Sequence, residues 1–344
     1  MANFSPSNLV AAQSRLAKKF TSPEMREKTL PALALGLSNS DVLIMGAAEL
    51  RKREDRAVYG YQMKRQVRTP GSQRTATHTG PSGDSQQIPF TWVTYTDSFS
   101  ISLKQMDNNI FSWNDAFDQN MANCILNIHG QIESDYVSFL LTNRNQVVKT
   151  TTPLGSRVNW TGATNYAHEI GATDQKQFFQ LAKEVMRQNY YNDNTFEVIA
   201  SGQTFVNADF WSSQGGQNSL NTSFQFTGLN IMQSVDLSDS NYGQGIALVM
   251  PRGTTALIDW IPKQNREGRG DYNSYLGGYG SMKDPYGTNL TFAVHGYSLR
   301  SDTTSTNGVA QDDLLQIEIS VDVAQAISQY SNVGESPVYE FGQL

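Results

Sequence analysis

The chain has a single cysteine, Cys124, in 344 residues. That excludes an internal disulfide framework and any zinc site built from several cysteines. Histidine is scarce too: His78, His129, His168 and His295 show no metal-ligand spacing and form no H-E-x-x-H pair. Solvated side chains are the expected state of His78 and His129. There is no Walker A sequence, and the run Gly277-Gly278-Tyr279-Gly280 lacks the lysine of a phosphate cradle. A G-x-S-x-G elbow is missing as well. Glu133 and Asp135 lie two residues apart on a helical pattern and so point apart, which rules them out as a glycosidase pair. No run of eighteen apolar residues offers a membrane span. No charged and then apolar leader opens the chain, so secretion is not expected. The sequence thus assigns no catalytic, cofactor-binding or metal-binding residue, and no enzyme activity is expected.

Charge is also in short supply. Asp, Glu, Lys and Arg make up 17% of the residues, against about 25% in ordinary soluble domains. Asn, Gln, Ser, Thr and Gly take their place. Interface cores are depleted in Lys, Glu and Asp, so a low-charge polar surface fits one covered by neighbours. The charge that remains is split along the chain. Residues 1–80 hold 13 Lys/Arg against 6 Asp/Glu, and the remainder holds 13 against 26. Two readings follow: a basic arm for nucleic acid, or a basic arm lying on an acidic neighbour. The arm also carries apolar patches, Leu33, Leu35 and Leu37 and then Val42, Leu43 and Ile44, which favour the second.

What is present is dominated by one long helix. From Ser112 to Arg144 the apolar residues Trp113, Phe117, Met121, Cys124, Ile125, Ile128, Ile132, Tyr136, Phe139 and Leu140 recur at gaps of three and four. About thirty residues at 1.5 Å each make a rod of roughly 45 Å. Ser112 with Asp115 reads as its capping box, Gly130 is its one weak point, and Cys124 on the stripe reads as a buried small hydrophobe. Before it, Val58 to Val67 and Ile88 to Tyr95 read as the strands of a long hairpin with a turn-rich polar tip from Thr69 to Gln87. Asp97 to Lys104 then alternates Phe99, Ile101 and Leu103 with serines, as a half-buried strand does.

The arm carries a basic amphipathic segment from Leu9 to Phe20 and a helix from Ser40 through Leu50. Later elements are a helix opening at Thr173-Asp174, a buried strand Phe196 to Ala200, a helix around Phe205 to Trp211, and a strand Gly245 to Met250. A short helix is expected after Pro251-Arg252-Gly253, through Leu257 and Trp260. Residues 264–288 are rich in Gly and Tyr, and Arg269-Gly270-Asp271 within them reads as a turn. Strands Thr291 to Leu299 and Leu315 to Val323 follow.

This order of parts resembles the HK97-fold major capsid proteins of tailed phages. The resemblance covers nearly the whole chain and is one of layout, with no single diagnostic motif. It implies an α+β, HK97-like capsid fold: an N-terminal arm (1–57), an extended E-loop hairpin (58–96), a peripheral domain with a long spine helix (97–155 and 300–330) and an axial domain (156–299 and 331–344). It implies a major capsid protein whose hexamers and pentamers close into an icosahedral shell around the phage genome, with 264–288 as candidate axial loop. Copies of itself are the expected partners, with scaffold, portal and decoration proteins and non-specifically contacted double-stranded DNA beside them. No membrane or cofactor is expected. The expected location is the virion capsid, assembled in the host cytoplasm. Candidate inter-subunit contacts are Lys64, Arg65, Arg68 and Arg74 on the hairpin and Tyr272, Tyr275 and Tyr279 in the Gly/Tyr region. The alternatives are an encapsulin-like compartment shell and a nucleic-acid-binding protein using residues 1–80.

Overall fold

The computed structural model describes residues 6–19, 28–64, 82–102, 113–191, 195–216, 228–272, 274, 276–299, 314–330 and 332–344. The arm holds helices α1 (Pro6–Lys19), α2 (Pro31–Ser38), α3 (Ser40–Leu43) and α4 (Ala47–Lys52). The single helix expected from Ser40 through Leu50 is divided, because Gly46 adopts φ +72°, left-handed backbone that glycine enters without strain.

Strands β1 (Tyr59–Lys64) and β2 (Asp84–Pro89) pair antiparallel, from Tyr59 opposite Pro89 to Lys64 opposite Asp84. The returning strand breaks at Phe90, earlier than expected. Then β3 (Thr91–Ser102) runs as one continuous strand of 12 residues through the alternating segment. The long helix is α5 (Trp113–Thr142), 30 residues; its expected cap, Ser112, lies outside the described residues.

After it come β4 (Val158–Trp160), β5 (Ala167–Ile170), α6 (Phe178–Gln188), β6 (Phe196–Ala200), α7 (Gly202–Gly216), β7 (Leu229–Gln233) and β8 (Ile246–Pro251). The next segment corrects the sequence reading: β9 (Thr255–Trp260) is a strand, not a short helix. Its first five residues are all buried, and a short apolar run covered on both faces suits a strand as well as a helix. The chain continues through α8 (Lys263–Glu267), β10 (Gly278–Lys283), β11 (Thr291–Leu299), β12 (Leu314–Ile327) and β13 (Tyr339–Gln343).

Two larger sheets organise these parts. In the first, the antiparallel order is β10-β11-β12-β3, and β9 pairs with the far half of β12. Residues 255–299, read from sequence with the axial segment, therefore supply three strands to the sheet that contains β3. The second sheet runs β4-β5-β13-β8-β6-β7, with β13 parallel to β5 and antiparallel to β8. Its core includes the α6 face of Phe178, Phe179, Leu181, Ala182, Val185 and Met186.

Helix α5 is covered on more of its circumference than its apolar stripe requires. One side packs on the inner face of the first sheet, where Phe99 meets Phe117 edge to face at 5.7 Å. The arm covers another side, and polar residues of α5 meet it there. Asp118 takes a two-pronged contact from Arg15, at 2.7 and 2.9 Å. Glu133 accepts the amides of Ala32 and Leu33 at the start of α2. His129, expected in solvent, is 1% exposed. Its Nε2 lies 3.1 Å from Asp284, which caps the β10–β11 turn by accepting the amides of Tyr286 and Thr288. Such residues read as a solvent face only while the arm and that turn are left out of account.

Candidate assembly surface

The hairpin has two unlike faces. Inward, Ile88 is fully buried, and Gly60 lets the Phe90 ring approach so closely that a Cβ would stand 2.7 Å from it. Gln62 fixes the base, donating to the Gln329 carbonyl at 2.8 Å and accepting from Ser328 Oγ at 3.0 Å. Outward, Tyr59, Tyr61 and Met63 stand on alternate residues, as a strand requires. They oppose Pro89, Gln87 and Ser85. Met63 is 67% exposed. The two tyrosine rings meet edge to face at 5.4 Å. A two-stranded ribbon with a bare apolar face is marginal alone in water, and contiguous exposed apolar surface marks a contact site.

A second uncovered surface lies on α5. The helix contains four acids, Asp115, Asp118, Glu133 and Asp135, and no Lys or Arg. Its open side presents Asn127, Gly130, Gln131 and Ser134, which with Lys28 and Leu30 line a trench of about 520 Å³. Helices facing water ordinarily carry charged residues there. Here the residues that α5 itself presents, Asn127, Gly130, Gln131 and Ser134, are uncharged, while Lys28 from the arm is charged.

The expected contact residues are dispersed. Backbone pairing holds Lys64 opposite Asp84 at the hairpin's far end, while Arg65, Arg68, Arg74 and Tyr275 lie outside the described residues, as does His78. Tyr272 is 2% exposed, so its own chain covers it. Its ring is seated among Gly278, Gly280 and Gly296; a Cβ on Gly278 or Gly296 would stand 2.8 Å from ring carbons. The glycine-tyrosine richness of this region is thus largely a ring seat within the first sheet. Tyr279 is half-buried and stacks on His295, with centroids 4.6 Å apart. Gly270 takes φ +87°, in keeping with the turn expected there. The region packs with β10 and β11 and contributes no strand to the second sheet.

Part of the charge split is met inside the chain. Arg15 pairs with Asp118, Lys28 with Asp236, Arg51 with Asp259 and Arg56 with Asp322. Each joins the basic arm to the acidic remainder of the same molecule, so these four cations are committed to holding the arm down.

Two buried titratable groups, Cys124 and His168, serve packing. Burial pushes the Cys124 thiol up to about 12, which leaves it protonated and unreactive. Burial also holds His168 down at about 3, between Trp160 at 4.6 Å and Phe341 at 5.1 Å. Among the described residues, no three of His, Cys, Asp and Glu are grouped to hold a metal ion, and no helix is long and apolar enough to cross a membrane.

No family model and no curated protein matches the chain. Among solved structures, a chain of the cyanophage Pam1 capsid asymmetric unit superposes with a TM-score of 0.50 at 8% identity, covering 93% of this chain and 94% of that one. A Mycobacterium phage Che8 structure superposes with a TM-score of 0.49 at 9% identity over 93% of each chain. With its arm, projecting hairpin, long helix on an antiparallel sheet and second mixed sheet, the chain has the HK97-like fold of tailed-phage capsid structures.

Proposed function

We propose that this chain is the major capsid protein of a tailed phage, building an icosahedral shell from hexamers and pentamers around double-stranded DNA. The observation that carries the reading is the bare outward face of the hairpin, Tyr59, Tyr61 and Met63, on a fold shared with a phage capsid chain. In this reading the hairpin is the E-loop, α5 and the first sheet form the peripheral domain, and the second sheet forms the axial domain. Binding between copies is the whole activity; the chain catalyses nothing. Lys64, Arg65, Arg68 and Arg74 at the hairpin's far end meet acidic surface of the adjacent subunit, and Tyr275 and Tyr279 are further contacts. DNA is held without sequence preference, scaffold, portal and decoration proteins are further partners, and the shell forms in the host cytoplasm as part of the virion.

Negative-stain microscopy of the purified chain tests the reading. Closed shells tens of nanometres across are expected, and a population of small monomers under all assembly conditions would overturn it. Shell yield should also fall as salt rises, because exposed ion pairs between subunits are screened. Replacing Arg65, Arg68 and Arg74 together by Glu should abolish that yield.

A further inference from the structure

Methionines fall into two kinds along the chain. Met121, Met186, Met250 and Met282 are buried, and the Met250 sulfur accepts the Thr255 hydroxyl at 3.4 Å. Met232 is half-buried on β7. Among the described residues, Met45 and Met63 alone are exposed, at 57% and 67%. Both belong to one piece of surface. Met63 stands two residues from Tyr61 on β1, and the Met45 amide donates to the Tyr61 carbonyl at 3.1 Å.

The backbone holds both residues firmly while their side chains stand in water. Met63 is fixed opposite Ser85 by the hairpin register. A Cβ added to Gly83 would lie 4.0 Å from the Met63 methyl carbon and near no other atom, so the thioether end is left open. Met45 sits between Ile44, which is fully buried, and Gly46, which turns the chain at φ +72°.

A thioether in water is open to oxygen transfer, and burial shields it. The sulfur lone pair attacks one oxygen of hydrogen peroxide, and the S–O bond forms as the O–O bond breaks. Sulfur gives up two electrons. The proton of the transferred hydroxyl passes to the departing hydroxide, which leaves as water. Two thiols reverse the step, yielding the thioether, a disulfide and water.

We propose that Met45 and Met63 form a hydroperoxide-sensitive site on the free subunit, which decides whether the outward hairpin face can be covered by another copy. The oxidation belongs to the subunit alone, and its effect on assembly rests on the capsid reading. A sulfoxide turns a flexible apolar side chain into a polar one. Its oxygen is a strong acceptor that an apolar contact leaves unmet. One such acceptor weakens each contact by about tenfold or more. Folding is left alone, because neither side chain is part of a core.

Peroxide treatment of the purified full-length subunit, followed by peptide mass spectrometry, tests the site. Met45 and Met63 should each gain one oxygen well before Met121, Met186, Met250 and Met282 do. Equal rates would overturn the site, whether or not the chain builds shells. Microscopy then tests the switch. Oxidised wild type should lose the shells that untreated protein forms, and methionine sulfoxide reductases for both epimers should restore them. The volume-conserving double variant Met45→Leu, Met63→Leu should assemble before and after treatment. Normal shells from oxidised wild type, no recovery on reduction, or an equal loss in the treated double variant would each overturn the switch. Absence of shells from untreated protein overturns the capsid reading instead, and the oxidation rates then decide the site by themselves.

Discussion

Glu133 on the long helix caps α2 across a hundred residues of chain, its carboxylate accepting the Leu33 amide at 2.8 Å and the Ala32 amide at 3.2 Å. Helix α2 starts at Pro31 and has no capping side chain of its own, so its first amides depend on this distant acceptor. Ser234 adds a third donor at 3.2 Å. Glu133→Ala leaves all three buried donors unmet and should destabilise the chain by about 2–3 kcal/mol. Glu133→Gln keeps one acceptor oxygen and should lose less. Urea unfolding measures both, and an Ala variant as stable as the wild type would contradict the cap.

Two helical glycines should respond to alanine in opposite directions. A Cβ on Gly36 would stand 2.6 Å from Leu257 and 2.8 Å from Tyr136, where α2 presses on β9 and α5. Gly36→Ala should lose about 1–3 kcal/mol through overpacking. Gly130, in the middle of α5, has no atom within 4 Å of its would-be Cβ. Gly130→Ala should gain up to about 1 kcal/mol from helix propensity. The same sign for both variants in thermal or urea unfolding would refute this packing.

His168 makes the subunit acid-sensitive. Its two ring nitrogens are buried among aromatics without hydrogen-bond partners, and burial holds it neutral down to about pH 3. The unfolded chain takes up that proton near pH 6.5, so the folded state loses ground as pH falls below 6.5 towards 3. Between pH 7 and 5, His168→Phe should gain about 2 kcal/mol on the wild type. Urea titrations at the two pH values would show it, and an unchanged difference would mean the imidazole is not kept neutral.

The outward hairpin strip separates folding from assembly. Tyr61 and Met63 are exposed, so replacing both by Glu should leave the unfolding midpoint almost where it was, as surface substitutions do. Shell formation should nevertheless be lost, because charge enters an apolar contact. Normal particles from the double variant would remove this strip from the contact surface.

The elements that carried their own periodicity were legible. The α5 stripe and the alternation of β3 and β12 were readable because each pattern reflects one partner surface. Segment 255–260 misled because a short apolar run covered on both faces has no period of its own. His129 misled because a helix covered on two sides buries polar residues along its second stripe. The glycines of 264–288 suggested a loop, whereas Gly278 and Gly280 on β10, with Gly296 on β11, make room for Tyr272, a relation between residues far apart in sequence. For the assembly surface, the low charge and the hairpin were readable, but the strip of Tyr59, Tyr61 and Met63 emerges only once the register with β2 says which side is covered.

Strand β13 lies in the middle of its sheet, parallel to a strand about 170 residues earlier. Strand β12 likewise joins β3 across roughly 210 residues. Neither sheet can close until these late segments arrive, and pairing over such separations is slow because the connecting loop must be ordered first. While the subunit waits, sheet edges and the apolar strip are open together, the condition in which chains aggregate. The order of strands therefore places a kinetic checkpoint on the subunit: it has a finished surface to offer a neighbour only when both sheets are complete.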